Sequence, residues 1–178
     1  LQHYRFNDYT SSLYRLVWSR FCDWYIEVIK PILNDQDHPD RAETKACAEY
    51  VLCTILKLLH PVTPFVTEEL FHQLSGQNTA MLIHAIWPKA DNIHYNAARA
   101  EDMTRMCALI TTVRSMKVSM DIAPASKCAL NPKDFPPSDQ AMFTDYARAM
   151  YFLARITLDH ADFPHQVRFP FKDDLVHL

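Results

Sequence analysis

One glycine, Gly76, occurs in 178 residues. Phosphate-cradling glycine loops, dinucleotide-binding turns and tight two-residue hairpins all need positive φ or a close backbone approach, so they are not expected here. Helix is the structure such a chain builds most readily. With 49% hydrophobic residues it can bury the core of one large or two small domains.

The periodicity supports this. From about Asp8 to Leu33, residues Leu13, Val17, Phe21, Trp24 and Val28 recur every three or four positions, the spacing of one helix face. Arg20, Asp23, Glu27 and Lys30 mark the opposite, solvated face, where opposite charges can pair. Pro31 is expected to kink or stop the last turn, with a polar loop over 34–40. A second helix is expected from Asp40 or Arg41 to Leu59. It is apolar almost all round, as for a helix touched on several sides. His60-Pro61-Val62-Thr63-Pro64 breaks it, and Pro64 suits the first position of a third helix closed by Ser75-Gly76. Met81 to Pro88 reads as an extended linker packed on the helices.

Ala97 to Met120 reads as a long helix with Met103, Met106, Leu109, Ile110, Val113, Met116 and Met120 on its buried side and Arg114 and Lys117 at the edge. Beyond Asp121 the texture changes. Strands are expected at Lys127–Leu130, Arg155–Asp159 and Gln166–Phe171, with a helix from Ser138 to Leu153. The expected organisation is therefore a helical domain over 1–120 and a small α/β unit over 121–178.

Composition narrows the function. The sequence starts at Leu1 with no charged and apolar leader, and no apolar run approaches the roughly 20 residues that span a bilayer, so a soluble, cytoplasmic piece of a longer chain is expected. Cys22, Cys47, Cys53, Cys107 and Cys128 are odd in number, contain no C-x-x-C pair and lie among apolar neighbours, which suits reduced thiols. The formal net charge of −3 disfavours nucleic acid globally. However, residues 98–133 hold six basic and three acidic side chains, so a phosphate-facing surface is expected there.

The run Phe21-Cys22-Asp23-Trp24-Tyr25-Ile26-Glu27, after Leu13-Tyr14 and Trp18, resembles the second bundle helix in the anticodon-binding domain of the valine–tRNA ligases, class I aminoacyl-tRNA synthetases. Downstream, Leu59-His60-Pro61-Val62-Thr63-Pro64-Phe65-Val66-Thr67-Glu68-Glu69 is similar to that family's Leu-His-Pro-x-x-Pro-Phe-x-Thr-Glu-Glu stretch. Ala85-Ile86-Trp87-Pro88 resembles its Ala-x-Trp-Pro linker, and Arg114 through Pro124 its Arg-x-x-Arg helix ending in Asn-Ile-x-Pro. Lys117, Ser119 and Asp121 depart from that last pattern, standing where the family has arginine, glutamate and asparagine. The resemblance covers roughly residues 4–130, with an echo in Phe169-Pro170-Phe171.

The resemblance implies a mainly α fold, an antiparallel helical bundle of the class I synthetase anticodon-binding type with the α/β unit appended. It also implies that the family's first bundle helix lies upstream of Leu1. The implied function is docking of the anticodon stem-loop of tRNA(Val). The parent enzyme would attach valine to that tRNA with ATP and Mg²⁺ in a catalytic domain of the same polypeptide, as a monomer. No catalytic residue, metal or cofactor is expected in these residues. The equivalent domain of an isoleucine or leucine synthetase, or a helical docking module without RNA binding, are the alternatives.

Arg99, Arg114, Lys117 and Lys127 are the expected tRNA-binding residues, as phosphate contacts along one side of the long helix and the start of the α/β unit; the bland reading is surface solubility or internal pairing. Trp24 could stack on an unpaired base, but its place on the apolar stripe favours packing. Glu69-x-x-His72 is half of a di-iron motif without a second pair, so its carboxylates are expected to serve a helix N-terminus. Cys53 and His60 lack an orienting carboxylate for thiol catalysis.

Overall fold

The computed structural model describes residues 4–76, 80–90, 95–159, 168–171 and 174–177. The described residues are mainly helical and form two compact units, Leu1–His94 and Tyr95–Leu178.

In the first unit, α1 (Phe6–Arg15), a π-helical stretch (Leu16–Ile26) and α2 (Glu27–Asn34) follow one another without a break. Pro31, expected to kink or stop the last turn, lies inside α2, which ends three residues later at Asn34. The π stretch ends beside Glu27, to whose carbonyl Pro31 has no N–H to give. In π geometry the hydrogen bonds run i→i+5, so side chains four and five apart share a direction. Phe21 stacks on Tyr25 with centroids 5.6 Å apart, and Tyr14 lies 6.2 Å from Trp18. The stripe expected from a 3.6-residue period is weakened accordingly. Leu13 is buried, whereas Val17, Phe21, Trp24 and Val28 are only half-buried. On the solvated face, Lys30 pairs with Glu27.

α3 (Arg41–Leu59) starts where the sequence places it and packs against α2 and α4 (Pro64–Ser75). Its burial is narrower than its apolar composition suggests. Ile55 and Leu56 are buried, while Tyr50 is 62% exposed, so among the described residues its first half is not surrounded. Pro64 opens α4 and Gly76, at φ 85°, closes it. The segment expected to be extended contains a 3₁₀ turn, Leu82–His84. Buried Leu82 donates its N–H to the Glu68 carboxylate at 2.7 Å, which anchors the turn on α4.

The second unit is built on α5 (Ala97–Ser119) and α6 (Pro137–Ala154), which pack together. Asn96 caps α5, its side-chain oxygen accepting from the Arg99 N–H at 3.1 Å. Met106, Leu109, Ile110 and Val113 are fully buried; Met103 and Met116 are half-buried and Met120 is exposed. This face explains why α5 belongs with the residues after 120 rather than with the preceding helices. Strands β1 (Cys128–Leu130) and β2 (Ile156–Leu158) pair in parallel, joined through α6. β3 (Arg168–Phe171) and β4 (Asp174–His177) pair antiparallel; β4 has no counterpart in the sequence reading, and Gln166 and Val167 of the expected strand lie outside the described residues.

With so little glycine, both long helices of this unit end on side-chain-bearing residues in the left-handed region, Asp121 at φ 54° and Arg155 at φ 57°. Such residues cost about 1–2 kcal/mol each. Asp121 is held by the Ile122 N–H donating to the Lys117 carbonyl at 2.8 Å, a helix-closing bond that satisfies an otherwise open acceptor.

Candidate nucleic-acid interface

The four expected cations have different fates. Arg99, in the first turn of α5, pairs with Asp145 of α6, both side chains being well exposed. An exposed pair of this kind contributes little to stability and yields readily to a competing anion. Arg114 lies 15 residues further along, about 22 Å at 1.5 Å per residue, so Arg99 is not grouped with the others.

Arg114 donates from Nε and Nη2 to the Leu153 carbonyl at 3.1 and 2.7 Å. Lys117 is only 3% exposed, and its Nζ donates to the carbonyls of Ser126 at 2.6 Å, Ala154 at 2.8 Å and Pro124 at 3.3 Å. Both therefore serve the C-terminal end of α6, where unpaired carbonyls and the negative end of the helix dipole attract cations. Lys127 is exposed and has no ion pair among the described residues.

Sequence reasoning missed Arg155, which follows α6 and places its guanidinium over the Tyr151 ring, 5.4 Å from the centroid. The available signal was a basic residue just past a predicted helix end. Around this end of α6 lies a cavity of about 380 Å³ lined by Arg114, Lys117, Val118, Pro124, Leu153 and Ala154. Its walls are largely apolar with a basic edge.

The aromatic candidates of the first unit are less committed. Trp24 is half-buried, and burial pushes the hydroxyl of nearby Tyr25 above its ordinary pKa range, reinforced by a hydrogen bond with Cys47. A groove of about 260 Å³ runs along Leu13, Tyr14, Val17, Trp18, Leu59 and Val62. His60 is bonded to buried Thr67, Nδ1 to Oγ1 at 2.9 Å, and His72 approaches Glu68 at 3.3 Å, while Glu69 accepts from Gln73.

Residues 1–131, a span that takes in α1 to α5, match the family model described as the anticodon-binding domain of tRNA ligase. The chain belongs to this family. Among its relatives, valine–tRNA ligase of Rhizobium meliloti (strain 1021) is 37% identical over 90% of this chain and 17% of its own length. The valine–tRNA ligase of Mesorhizobium japonicum is 41% identical over 69% of this chain and 13% of its own length. That of Ruegeria pomeroyi is 42% identical over 68% and 12%. The chain thus spans less than a fifth of the relatives it matches. Within the family match lie Arg99, Arg114, Lys117 and Lys127, whereas α6, whose end Arg114 and Lys117 serve, lies beyond it.

Proposed function

We propose that this chain is the tRNA-reading part of a valine–tRNA ligase and docks the anticodon stem-loop of tRNA(Val), while the rest of the polypeptide joins valine to that tRNA using ATP and Mg²⁺. The observation that carries the reading is the family match over residues 1–131, supported by relatives that are valine–tRNA ligases. On this reading the helices of the first unit, α1 to α4, belong to the antiparallel bundle, and the second unit, which includes α5, holds the appended α/β part. The protein acts as a cytoplasmic monomer.

Phosphates are met by Arg99, Arg114 and Lys127, exposed side chains that can still offer N–H donors. Lys117 belongs to the same surface, but its ammonium faces inward onto three carbonyls.

Binding of the chain to tRNA(Val) and tRNA(Ile) transcripts across a salt series tests both parts. Tighter binding of tRNA(Val) is expected; equal affinity would remove the valine assignment. Changing Arg114→Glu and Lys127→Glu together is expected to weaken binding at least about tenfold and to lower the salt slope by about 2, one per lost phosphate contact. An unchanged slope would place the RNA elsewhere.

A further inference from the structure

Lys117 and Arg114 differ in what they have left to offer. An ammonium carries three N–H donors and no acceptor, and a guanidinium carries five donors. The carbonyls of Pro124, Ser126 and Ala154 can take all three donors of Lys117, in a position only 3% exposed. Arg114 uses two of its five on Leu153 and is exposed, so three remain for another partner.

The placing of the three acceptors is informative. Ser126 directly precedes Lys127; Ala154 directly precedes Arg155 and directly follows Leu153, on whose carbonyl Arg114 rests. One buried ammonium therefore joins α5, the loop after it and the last residue of α6, and each segment carries a further cation close to the point where it is held: exposed Arg114 and Lys127, and half-buried Arg155 over the Tyr151 ring.

We infer that Lys117 is a positioning residue for RNA binding. It touches no phosphate itself, and its inward ammonium fixes the spacing of Arg114, Lys127 and Arg155 that a phosphodiester backbone meets. The inference rests on the tRNA-binding reading above. Electrostatically the arrangement is coherent, because the carbonyl end of α6 stabilises an ammonium that has no carboxylate partner among the described residues. It also places a charged head at a stripe position, four residues past buried Val113, where only the long methylene stem is otherwise suited to the core.

The test compares four forms of the chain binding tRNA(Val) transcript below the melting temperature: wild type, Lys117→Met, Arg114→Ala and the double variant. Lys117→Met keeps the stem but removes the three donors. It is expected to weaken binding about tenfold, and adding Arg114→Ala is expected to weaken it less than twofold more, because Arg114 is already misplaced. Fold-changes that multiply, or wild-type affinity in Lys117→Met, would overturn the positioning role.

Amine acylation of the wild-type chain, read by mass spectrometry, gives the same decision should the variant not fold. Lys117 is expected to stay unmodified with and without tRNA, and Lys127 to react in the free chain and be protected in the complex. A Lys117 that reacts in the free chain and is protected by tRNA would make it a direct contact. If the wild-type chain shows no salt-dependent tRNA binding, the functional reading itself falls; if it binds and Lys117→Met binds equally, only the positioning role does.

Discussion

Replacing Phe143 with alanine is expected to destabilise the second unit by about 3–5 kcal/mol, the cost of emptying a large aromatic site that its surroundings cannot refill. Phe143 is 1% exposed on α6 and meets the edge of Phe135 with centroids 4.6 Å apart, a contact worth about 0.5–1.5 kcal/mol beyond the area it buries. Urea unfolding followed by far-UV circular dichroism measures the loss. Trp18, Trp24 and Trp87 all lie in the first unit, so tryptophan fluorescence reports that unit separately. A loss below about 1 kcal/mol would mean that the helices close around the smaller side chain. Because the Leu153 and Ala154 carbonyls that accept from Arg114 and Lys117 sit at the C-terminal end of α6, tRNA affinity should fall at temperatures where this unit melts.

Arg105→Met is expected to cost a similar amount, about 3–5 kcal/mol, for a different reason: removing one member of a buried ion pair leaves a charge in low dielectric without its counter-ion. The Arg105 guanidinium reaches Asp102 on its own helix at 2.6 Å and Asp139 in the first turn of α6 at 2.7 Å, and the Asp139 side chain is 7% exposed. Methionine preserves the stem, so the loss isolates the charge. Arg105→Met combined with Asp139→Asn should recover part of the stability, since the carboxylate that lost its arginine is then neutral. If the double variant is as unstable as the sum of the two singles, the pair is not coupled.

Helix starts were legible because each carries a local chemical signal. Arg41 follows a polar loop, Pro64 supplies a preset φ, and Asn96 stands before the long helix. The π-helical stretch was not. A stripe at three- and four-residue spacing fits an α-helix, and a wider winding is not written in the pattern of apolar residues. The degree of burial on α3 was also illegible, because composition says which faces could be covered and neighbours decide which are.

At the candidate interface, counting charge along the chain singled out the basic stretch 98–133 but could not tell outward cations from inward ones. Of its six basic side chains, Arg105 is tied to two aspartates and Lys117 to three carbonyls. A hint was nevertheless present. Met106, Ile110 and Val113 are spaced four and three apart, and Lys117 falls on the next step of the same row. A basic residue at a core position needs a buried acceptor, and the carbonyl end of a neighbouring helix offers several.

The parallel pairing of β1 with β2 has a consequence for the order in which the second unit assembles. Cys128 donates its N–H to the Arg155 carbonyl at 3.0 Å and Asp159 donates to that of Leu130 at 3.0 Å, so neither strand completes its bonds until all of α6 has been traversed. Closing that span costs chain entropy before any strand bond repays it, so the helices must collapse onto each other first. During synthesis, β1 therefore leaves the ribosome without its partner and waits for more than twenty further residues. The surface around Lys117 also needs the Ala154 carbonyl, so it forms only after α6 has been made and docked, and any RNA contact there must wait for that step.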